Sequence, residues 1–409
     1  MLSLQIDLSA ASDERAWPRY RTVQGGTGHA ARMAAEAIGD LSGDVVLIVP
    51  GDSPLLRAET FAELIAAHAA SDAVCTVLTT RMPDPTGYGR VVREGGEVTR
   101  IVEERDADAA IRALDEVAVS TYVFDGAVLA AILGRITAEN DQGEFYLTDA
   151  VGLVGGLGRV AGFEAAEHQE VLGVNSHGQL AAVEAVMRGR INREWMEAGV
   201  RMIDPDRVYV EASVTLEAGA TLYPGVHLSG TSRVAAGAAV GPDTFVVDST
   251  IGRRARVWYS VLRGADVGED AEVGPYASLR PGTVLAAKAK AGTFVEVKAA
   301  EIGRGSKVPH LSYIGDATIG EDTNIGAGTI TCNYDGFRKH HTTIGSGVFI
   351  GSDTMLVAPV EVGDGAFTGA GSVITRDVAP GALAVERSPQ KELPGYAERR
   401  ARQADSEGE

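Results

Sequence analysis

Residues 280–310, in the second half of this chain, contain a histidine and two cations that could do chemistry. His310 lies within KVPHLSYIGDATIG (Lys307–Gly320), and a neutral imidazole is suited to removing a proton from an amine near pH 7. Arg280 offers a bidentate guanidinium fork and Lys298 a compact charge, and both suit a phosphate group. An isolated histidine or lysine in a loop is more often a solvated surface residue, so these roles depend on the surrounding segments.

The elements that must position these residues follow a six-residue repeat from about Val208 to Val373. An aliphatic residue recurs at every sixth position and is often followed by glycine, as at Gly252 and Gly320. Neither the helical period of 3.6 nor the strand period of 2 produces this spacing. The repeat predicts a parallel β-helix, in which each short strand is one face of a coil and stacked coils bury an aliphatic row. Its members include Val208, Val214, Ala220, Val226, Val261, Val267, Val273, Leu279, Ile302, Val308, Ile314, Ile319, Ile325, Ile344, Ile350 and Leu356.

Several segments inside the repeat are too polar or too irregular to be plain coil. A solenoid of this kind has no pocket of its own, so we expect its sites at such loops or between chains. The segments are SLRPG (Ser278–Gly282), FVEVKAAEIG (Phe294–Gly303), Lys307–Gly320, NIGAGTITCNYDG (Asn324–Gly336) and FRKHHTTIG (Phe337–Gly345).

The first half of the chain has the alternating pattern of an α/β domain. Strands are predicted within Asp44–Leu55, at Ala73–Thr80 and at Val117–Phe124, with a helix at Glu59–Ala70. Such alternation predicts a mostly parallel sheet covered on both faces. Ligands of these sheets bind beyond the carboxyl ends of the strands.

The predicted domains are an α/β domain at 1–178, a linker helix at 179–203, the β-helix at 204–390 and a polar tail at 391–409, expected to be frayed. The helix is predicted because apolar residues recur at spacings of three and four. Those residues are Leu180, Val183, Met187, Ile191 and Trp195.

Composition limits the partners and the compartment. A length of 409 residues favours two domains. The net charge of −19 argues against nucleic acid or an anionic membrane as a general partner, but not against a small anion held by a local basic cluster. Cys75 and Cys332 give neither a disulfide framework nor a metal spacing, which fits a reducing cytoplasm. The sequence contains no apolar run of about 18 residues, so it predicts no membrane-spanning helix, and no signal peptide is recognisable.

Residues 205–390 resemble the acetyltransferase half of the bifunctional N-acetylglucosamine-1-phosphate uridyltransferase/glucosamine-1-phosphate N-acetyltransferase family. HLSYIGDATIG and NIGAGTITCNYDG carry the resemblance. It implies a left-handed β-helix, a homotrimer, and acetyl transfer from acetyl-CoA to glucosamine-1-phosphate in UDP-N-acetylglucosamine biosynthesis. It also implies that His310 is the catalytic base and that Glu296 assists it or orients the amino group. The matching sugar-phosphate residues are Arg280, Lys298, Tyr313, Asn324 and Lys339, and the acetyl-CoA residues are Ala327, Asn333, Tyr334, Ser352, Ala370 and Arg387.

The first half resembles the uridyltransferase domain of the same family, which has a nucleotide-sugar pyrophosphorylase-like, Rossmann-like fold. The motifs in order are GGTGHA, VPGDSPL, TGYGRV, RIVEERD, QGEFYLTD and LGVNSHGQL. The resemblance implies binding of UTP and a nucleotide sugar, with Mg²⁺ held by Asp52 and Asn175. The implied nucleotide-sugar residues are Gly26, Thr27, Asp52, Gly89, Glu103 and Asn175.

Two departures from the family pattern put the uridyl step in doubt. A glycine-rich phosphate loop with its lysine is not recognisable before Gly25, where only Arg15, Arg19 and Arg21 are basic. The family's asparagine in its E-[IV]-N strand is replaced by Ala118. The expectation is therefore an N-terminally truncated domain with weak or no uridyltransferase activity.

Two other readings stay open at the level of sequence. One is a hexapeptide acyltransferase acting on another amino sugar, with a regulatory nucleotide-sugar-binding domain. The other is a non-catalytic scaffold that binds a nucleotide sugar. His310, Arg280 and Lys298 argue against a scaffold for the second half, whereas the first half remains open.

Overall fold

A computed structural model describes residues 25–407 of the chain, with the side chains of 405–407 excepted. The chain divides into two compact units, and the boundary along the sequence falls between Met187 and Arg188. This boundary lies inside a helix that runs over His177–Glu197, close to the predicted linker helix. On that helix, Ile191 and Trp195 pack against the core of the C-terminal unit, whereas Met187 is exposed rather than buried.

The N-terminal unit contains strands and helices at the predicted places, together with several that were not predicted. Its described elements are α1 (Thr27–Ile38), β1 (Val45–Ile48), α2 (Ala58–Ala69), β2 (Ala73–Arg81), β3 (Arg90–Glu94), β4 (Glu97–Val102), α3 (Ala109–Arg112), β5 (Glu116–Asp125), α4 (Gly126–Leu133), α5 (Asp149–Val154), β6 (Arg159–Glu164), a 3₁₀ turn (His168–Val171) and α6 (His177–Glu197).

The prediction of a mostly parallel sheet is wrong for the described strands. Their order is β4-β3-β5-β2-β6, with β1 also on β5. Only the β2–β6 pair is parallel, and β5 runs antiparallel to β1, β2 and β3. The reason lies between β2 and β5, where the chain forms the β3–β4 hairpin. Gly95 and Gly96 both have positive φ there, at 60° and 93°, as a tight two-residue hairpin turn requires.

The C-terminal unit is the predicted parallel β-helix of hexapeptide repeats. Its described elements are β7 (Arg201–Met202), a 3₁₀ turn (Pro205–Arg207), β8 (Val208–Val210), β9 (Thr215–Leu216), β10 (Thr221–Leu222), β11 (Val226–Ser229), β12 (Arg233–Val234), β13 (Ala239–Val240), β14 (Phe245–Val247), β15 (Thr250–Ile251), β16 (Arg256–Val257), β17 (Val261–Arg263), β18 (Ala265–Val267), β19 (Glu272–Val273), β20 (Ser278–Leu279), β21 (Thr283–Leu285), β22 (Lys290–Thr293), β23 (Glu296–Ile302), β24 (Lys307–His310), β25 (Tyr313–Ile319), β26 (Asn324–Ile325), β27 (Ile330–Cys332), β28 (Thr342–Ile344), β29 (Phe349–Ile350), β30 (Met355–Val357), β31 (Val360–Val362), β32 (Phe367–Thr368), β33 (Val373–Ile374), β34 (Leu383–Ala384) and α7 (Tyr396–Glu407).

Each coil of the solenoid has three faces. The first face is the 11-stranded ladder from β7 to β34, and the other two faces form the 17-stranded ladder. β23 and β25 are long enough to cross from the second face to the third. Most repeat positions point inward and are buried. Val261 is an exception, because Leu262 takes the inward position in that coil.

One coil is longer than its neighbours. The amide of Thr323 donates to Ser306 17 residues earlier, whereas the amide of Val348 donates to Thr323 25 residues earlier. The additional chain lies between β27 and β28 and contains NYDGFRKHH (333–341). The break in the repeat is therefore a loop that projects from an otherwise regular solenoid.

The glycines that follow the aliphatic positions allow successive coils to approach closely. A Cβ added at Gly303 would lie 2.3 Å from the carbonyl oxygen of Gly320, and one at Gly320 would lie 2.6 Å from the carbonyl carbon of Gly345. Neither Gly303 nor Gly320 has a positive φ. Glycine is thus required here by contact between coils and not by a tight corner.

The polar tail does not remain irregular as expected, since α7 forms within it. None of the helices among residues 25–407 combines the length and the apolar character needed to cross a lipid bilayer.

Candidate active sites

His310 begins a line of small residues along the corner between the first and second faces. The carbonyl oxygens of His310, Ala327 and Ser352 each accept a hydrogen bond from a backbone amide on the next coil, at 3.4, 2.6 and 2.9 Å. At the far end, the Arg387 guanidinium donates to the Ala370 carbonyl at 2.8 Å. We call these five residues the corner column. Its small side chains leave the backbone of successive coils open to a long, narrow ligand.

The imidazole of His310 is free to act on a ligand. His310 is exposed at the end of β24, and its carbonyl oxygen accepts a hydrogen bond from the Ser312 hydroxyl at 2.8 Å. Leu311 makes the corner itself, with φ of 49° and 62% exposure. Among the described residues, none donates to or accepts from the ring nitrogens of His310. The backbone is thus held while the side chain stays accessible.

Three cationic side chains lie at the end of the second face that is opposite the corner column. The register places Leu279 opposite Val297, so Arg280 and Lys298 stand side by side on neighbouring coils. Lys339 reaches the same place from the long loop, where its amine lies next to the amine of Lys298. We call Arg280, Lys298 and Lys339 the cationic cluster. Such a concentration of positive charge, in a chain of net charge −19, is suited to holding an anion.

The carboxylates at this cluster leave donors available. Arg280 Nη1 contacts Glu296 Oε1 at 2.9 Å, a single contact that leaves the rest of the guanidinium fork unused by this pair. Lys298 Nζ lies 3.3 Å from Asp316 Oδ2. The cluster therefore keeps net positive charge.

The two lysines of the cluster have pKa values shifted in opposite directions. The hydrogen bond with Lys339, followed by the bond to Asp316, raises the pKa of Lys298. The same contact with Lys298, with a further contribution from Arg280, lowers the pKa of Lys339. A bound dianion would relieve this repulsion, because it would favour the charged form of both groups.

Polar groups surround the cationic cluster in close contact. Asn333 Nδ2 donates to Tyr313 Oη at 3.4 Å and to Asp316 Oδ2. A Cβ added at Gly315 would lie 2.3 Å from Tyr313 Oη and 2.8 Å from Asn333 Nδ2. Glycine at this position therefore allows the tyrosine and the asparagine to meet.

The long loop is a hairpin that holds Lys339 in place. Tyr334 and Lys339 form an antiparallel bridge. Asp335 Oδ1 accepts hydrogen bonds from two backbone amides of the turn at 2.8 and 2.6 Å, and its Oδ2 lies 2.7 Å from His340 Nε2. These bonds, the one from the Arg338 amide foremost, hold the pKa of Asp335 well below its usual range. A carboxylate that stays charged keeps the hairpin closed.

Within the described residues of one chain, the residues predicted for the acetyltransferase site do not all lie close together. Asn324 lies on the first face, paired with Lys307 and Phe349, and not at the cationic cluster. Within residues 25–407, the Glu296 carboxylate is bonded to Arg280 and makes no hydrogen bond to His310. The corner column and the cationic cluster thus lie at opposite ends of the second face.

The N-terminal unit contains a polar cavity of about 210 Å³. Asp52, Gly89, Glu103 and Asn175 all line it, and Ala118 lies on its wall. A Cβ added at Gly89 would lie 3.5 Å from both carboxylate oxygens of Glu103 and 2.9 Å from the side chain of Ile101. The structure therefore brings together four residues from separate motifs of the sequence.

Glu103 is held in a partly buried position within this cavity. Burial raises its pKa, the hydrogen bond from the Thr148 hydroxyl opposes that shift, and the carboxylates of Asp149 and Asp106 add to it. The bond from Thr148 measures 2.9 Å and fixes one carboxylate oxygen. The other oxygen can accept a hydrogen bond from a ligand hydroxyl.

Asp52 and Asn175 are of the residue types that would suit a magnesium ion whose other ligands came from phosphates and water. The amide of Val174 donates to the Asp52 carbonyl at 2.9 Å, which brings the two segments together. One carboxylate and one amide oxygen match the sparse protein ligation that Mg²⁺ accepts when substrate phosphates and waters complete its shell. No group of three or more histidine, cysteine or carboxylate side chains forms a cage in the described part of the chain.

Gly26 and Thr27 contact the segment that contains Phe145 and Leu147. The amide of Leu147 donates to Thr27 Oγ1 at 3.0 Å, and a Cβ added at Gly26 would lie 2.6 Å from the Phe145 carbonyl. Thr27 and Glu103 both line a second cavity of about 710 Å³. The expectations about a phosphate loop and about Arg15, Arg19 and Arg21 fall outside the described residues.

Comparisons with known proteins agree with both units. The model "Nucleotidyl transferase" matches residues 6–161, and "Bacterial transferase hexapeptide (six repeats)" matches residues 341–376. "Bifunctional protein GlmU" of Streptomyces avermitilis is 50% identical over 390 residues, covering 94% of this chain and 81% of that protein. The protein of the same name from Kineococcus radiotolerans is 52% identical over 373 residues, covering 91% and 76%. That from Heliobacterium modesticaldum is 49% identical over 382 residues, covering 92% and 83%.

This chain belongs to the GlmU family.

Membership makes the chain a transferase with a nucleotidyltransferase unit and a hexapeptide-repeat unit. Asp316 is a residue of this GlmU-family chain that sequence reasoning did not assign. It bonds both Lys298 and Asn333, and has φ of 48°. The sequence does contain a feature that could have indicated Asp316. It directly follows Gly315 in YIGD, and an aspartate at a corner tolerates the left-handed conformation.

Proposed function

We propose that the C-terminal unit transfers the acetyl group of acetyl-CoA to the amine of glucosamine-1-phosphate, within UDP-N-acetylglucosamine biosynthesis. The observation that carries the proposal is the cationic cluster on the coils next to His310, in an otherwise acidic chain. Arg280, Lys298 and Lys339 supply charge for the phosphate. The corner column supplies open backbone for the pantetheine arm of acetyl-CoA, ending at Arg387.

The proposed reaction needs one proton acceptor and no covalent enzyme intermediate. The amine lone pair forms the C–N bond with the thioester carbonyl, the C–S bond breaks, and the thiolate leaves. His310 takes the proton that the nitrogen loses and can return it to the sulfur. Cys332 is not needed as a nucleophile, and burial raises the pKa of its thiol, which disfavours the thiolate.

We further propose that the active site is completed between copies in a homotrimer. The corner column and the cationic cluster stand at opposite ends of the second face of one chain. The cationic cluster of a neighbouring copy could lie next to His310. The amine and phosphate of the acceptor would then lie close to the thioester of acetyl-CoA. Trimer formation can be checked by light scattering.

For the N-terminal unit we propose binding of a nucleotide sugar with slow uridyl transfer. Support for binding comes from the cavity that collects Asp52, Gly89, Glu103 and Asn175. Support for slow transfer comes from its lining, in which no described residue is basic and Ala118 offers only a methyl group. Charge developing on the phosphates would therefore meet few donors from this wall.

A paired assay on the full chain tests both proposals. CoA release is measured with glucosamine-1-phosphate and with a panel of other amino sugars, and pyrophosphate release is measured with UTP and N-acetylglucosamine-1-phosphate. Preference for a different amino sugar would reject the proposed acceptor. Uridyl transfer as fast as acetyl transfer would reject the proposed slow step.

Replacing Lys339 by arginine is expected to extend tight acceptor binding to higher pH. The pKa of Lys339 is lowered, so its charge is full below that pKa and is lost at a lower pH than for an ordinary lysine. Arginine remains protonated throughout. The KM for glucosamine-1-phosphate, measured from about pH 7 to 10, should rise with pH in the wild type and stay flatter in Lys339→Arg. Parallel curves would contradict a role for Lys339.

Replacing Ala118 by asparagine is expected to strengthen binding of UDP-N-acetylglucosamine several-fold. The change adds an amide to the wall of the 210 Å³ cavity, and one neutral hydrogen bond is worth about 1 kcal/mol. Calorimetric titration measures the affinity. Ala118→Val, which adds bulk without polarity, is the control and should bind no better than the wild type. Equal gains in both variants would count against the missing amide as the cause.

A further inference from the structure

Ser120 has an unusual backbone in the middle of β5. Its φ is 54°, in the left-handed region that serine seldom adopts. Val77 pairs with Tyr122 and Thr79 with Ala118, so Val119, Ser120 and Thr121 bulge opposite the single residue between them. Bulges and such conformations cost free energy and concentrate at functional sites. The bulge turns this one residue out of the sheet.

The side chain of Ser120 reaches the nucleotide-sugar cavity. Ser120 is the one exposed residue in β5 and lines the cavity that holds Asp52, Glu103 and Asn175. Within residues 25–407, its hydroxyl makes no hydrogen bond. It also lines the adjoining cavity of about 710 Å³. A polar group is thus presented to open space at the meeting of the two cavities.

A second polar group beside Ser120 lacks a partner within the described part of the chain. Tyr122 is only 1% exposed and lines the larger cavity. Among the described residues nothing bonds its buried hydroxyl, an arrangement that is costly unless something else pairs with it. The pKa of Tyr122 is raised well above its usual range by burial and by the charge of Glu103, so the hydroxyl keeps its proton. The wall next to Ser120 therefore has unused capacity for a polar ligand.

We propose that the Ser120 hydroxyl contacts the hexose of the bound nucleotide sugar and supplies part of the polar contact that Ala118 does not. A hydroxyl can both donate and accept, as the alcohols of a sugar require. Glu103 faces the same space and is bonded to Thr148 on one oxygen. Ser120 and Glu103 together then recognise the sugar. This inference rests on the proposed binding of a nucleotide sugar.

Two substitutions separate binding from backbone strain. Ser120→Ala removes the hydroxyl and keeps the strained conformation. Ser120→Gly removes the hydroxyl and relieves the strain, because glycine adopts positive φ readily. Both should weaken UDP-N-acetylglucosamine binding about 3- to 10-fold, the loss of one neutral hydrogen bond. Only Ser120→Gly should raise the midpoint of the thermal transition that the ligand shifts.

The experiment is calorimetric titration of the full chain with UDP-N-acetylglucosamine and, separately, with UDP. Binding of UDP should be unchanged in both variants, since UDP lacks the hexose. Lys288→Gly, at φ of 62° in the C-terminal unit, is the matched control and should leave both affinities unchanged. Equal UDP-N-acetylglucosamine affinity in all variants, or equal loss for UDP, would overturn the contact with the sugar. Failure of the wild type to bind either ligand would reject the proposed nucleotide-sugar function itself and this contact with it.

Discussion

Replacing His310 by alanine is expected to lower kcat for acetyl transfer by about 10²- to 10⁴-fold, the usual contribution of a positioned acid or base. The ring is exposed at the end of β24, and within the described chain its nitrogens form no hydrogen bond. Removing it should therefore leave the coil intact. The fall should be in kcat, measured as CoA release, with smaller changes in either KM because the ring contributes a proton transfer and not the main binding contacts.

Two controls distinguish a lost base from a disturbed fold. His168→Ala removes an exposed histidine of the N-terminal unit and should leave acetyl transfer unchanged. Added imidazole should restore part of the activity of His310→Ala, since it can enter the space that the ring vacates. The circular dichroism spectrum should match the wild type. Full activity in His310→Ala, or a loss that imidazole does not restore although the variant is folded, would reject His310 as the base.

The period of a sequence pattern determines how much of this fold could be predicted. The six-residue repeat depends only on which side chains point inward, and burial of an aliphatic side chain contributes about 1.5–3 kcal/mol. The β-helix was therefore predictable almost coil by coil. The exception at Val261 arises where a coil shortens and Leu262 takes the buried position. Sequence spacing does not reveal such a local change, because both residues are aliphatic.

Strand direction in the first half could not be predicted from alternation alone. A crossover helix and a hairpin can both separate two strands, and the choice here was made by Gly95 and Gly96, whose positive φ values permit the turn. The bulge at Ser120 was equally hidden, because nothing in EVAVSTYVF indicates an irregular register. Placements that depend on register, such as Ser120 and Glu103 lining one cavity, therefore appeared only with the structure.

The candidate site shows the same limit at the level of single contacts. Family resemblance indicated Lys298, Asn333 and Lys339 but not the group that connects two of them. Asp316 bonds Lys298 and Asn333 because the long loop returns to the coil beside it. The resemblance also assigned Asn333 to acetyl-CoA, whereas within one chain it lies at the cationic cluster. No spacing rule would suggest this position for Asn333, because it depends on the path of the long loop.

Replacing Lys298 by methionine is expected to raise the KM for glucosamine-1-phosphate about 10- to 100-fold, since a hydrogen bond to a charged group is worth about 1.5–3 kcal/mol. Methionine keeps much of the length and the apolar stem. The side chain is mostly covered, with 18% exposure, so solvent screens its charge less than at an open surface. The measurement is steady-state CoA release with each substrate varied in turn.

The effect of Lys298→Met should be specific to the acceptor and should have an electrostatic signature. The KM for acetyl-CoA should change less, because the corner column lies at the other end of the second face. Lys339 should regain a higher pKa once the neighbouring charge that lowers it is gone, so the alkaline rise in acceptor KM should move to higher pH. Lys288→Met, an exposed lysine at a different corner, is the matched control. An unchanged acceptor KM in Lys298→Met, or an equal rise in the control, would show that the phosphate does not bind at the cationic cluster.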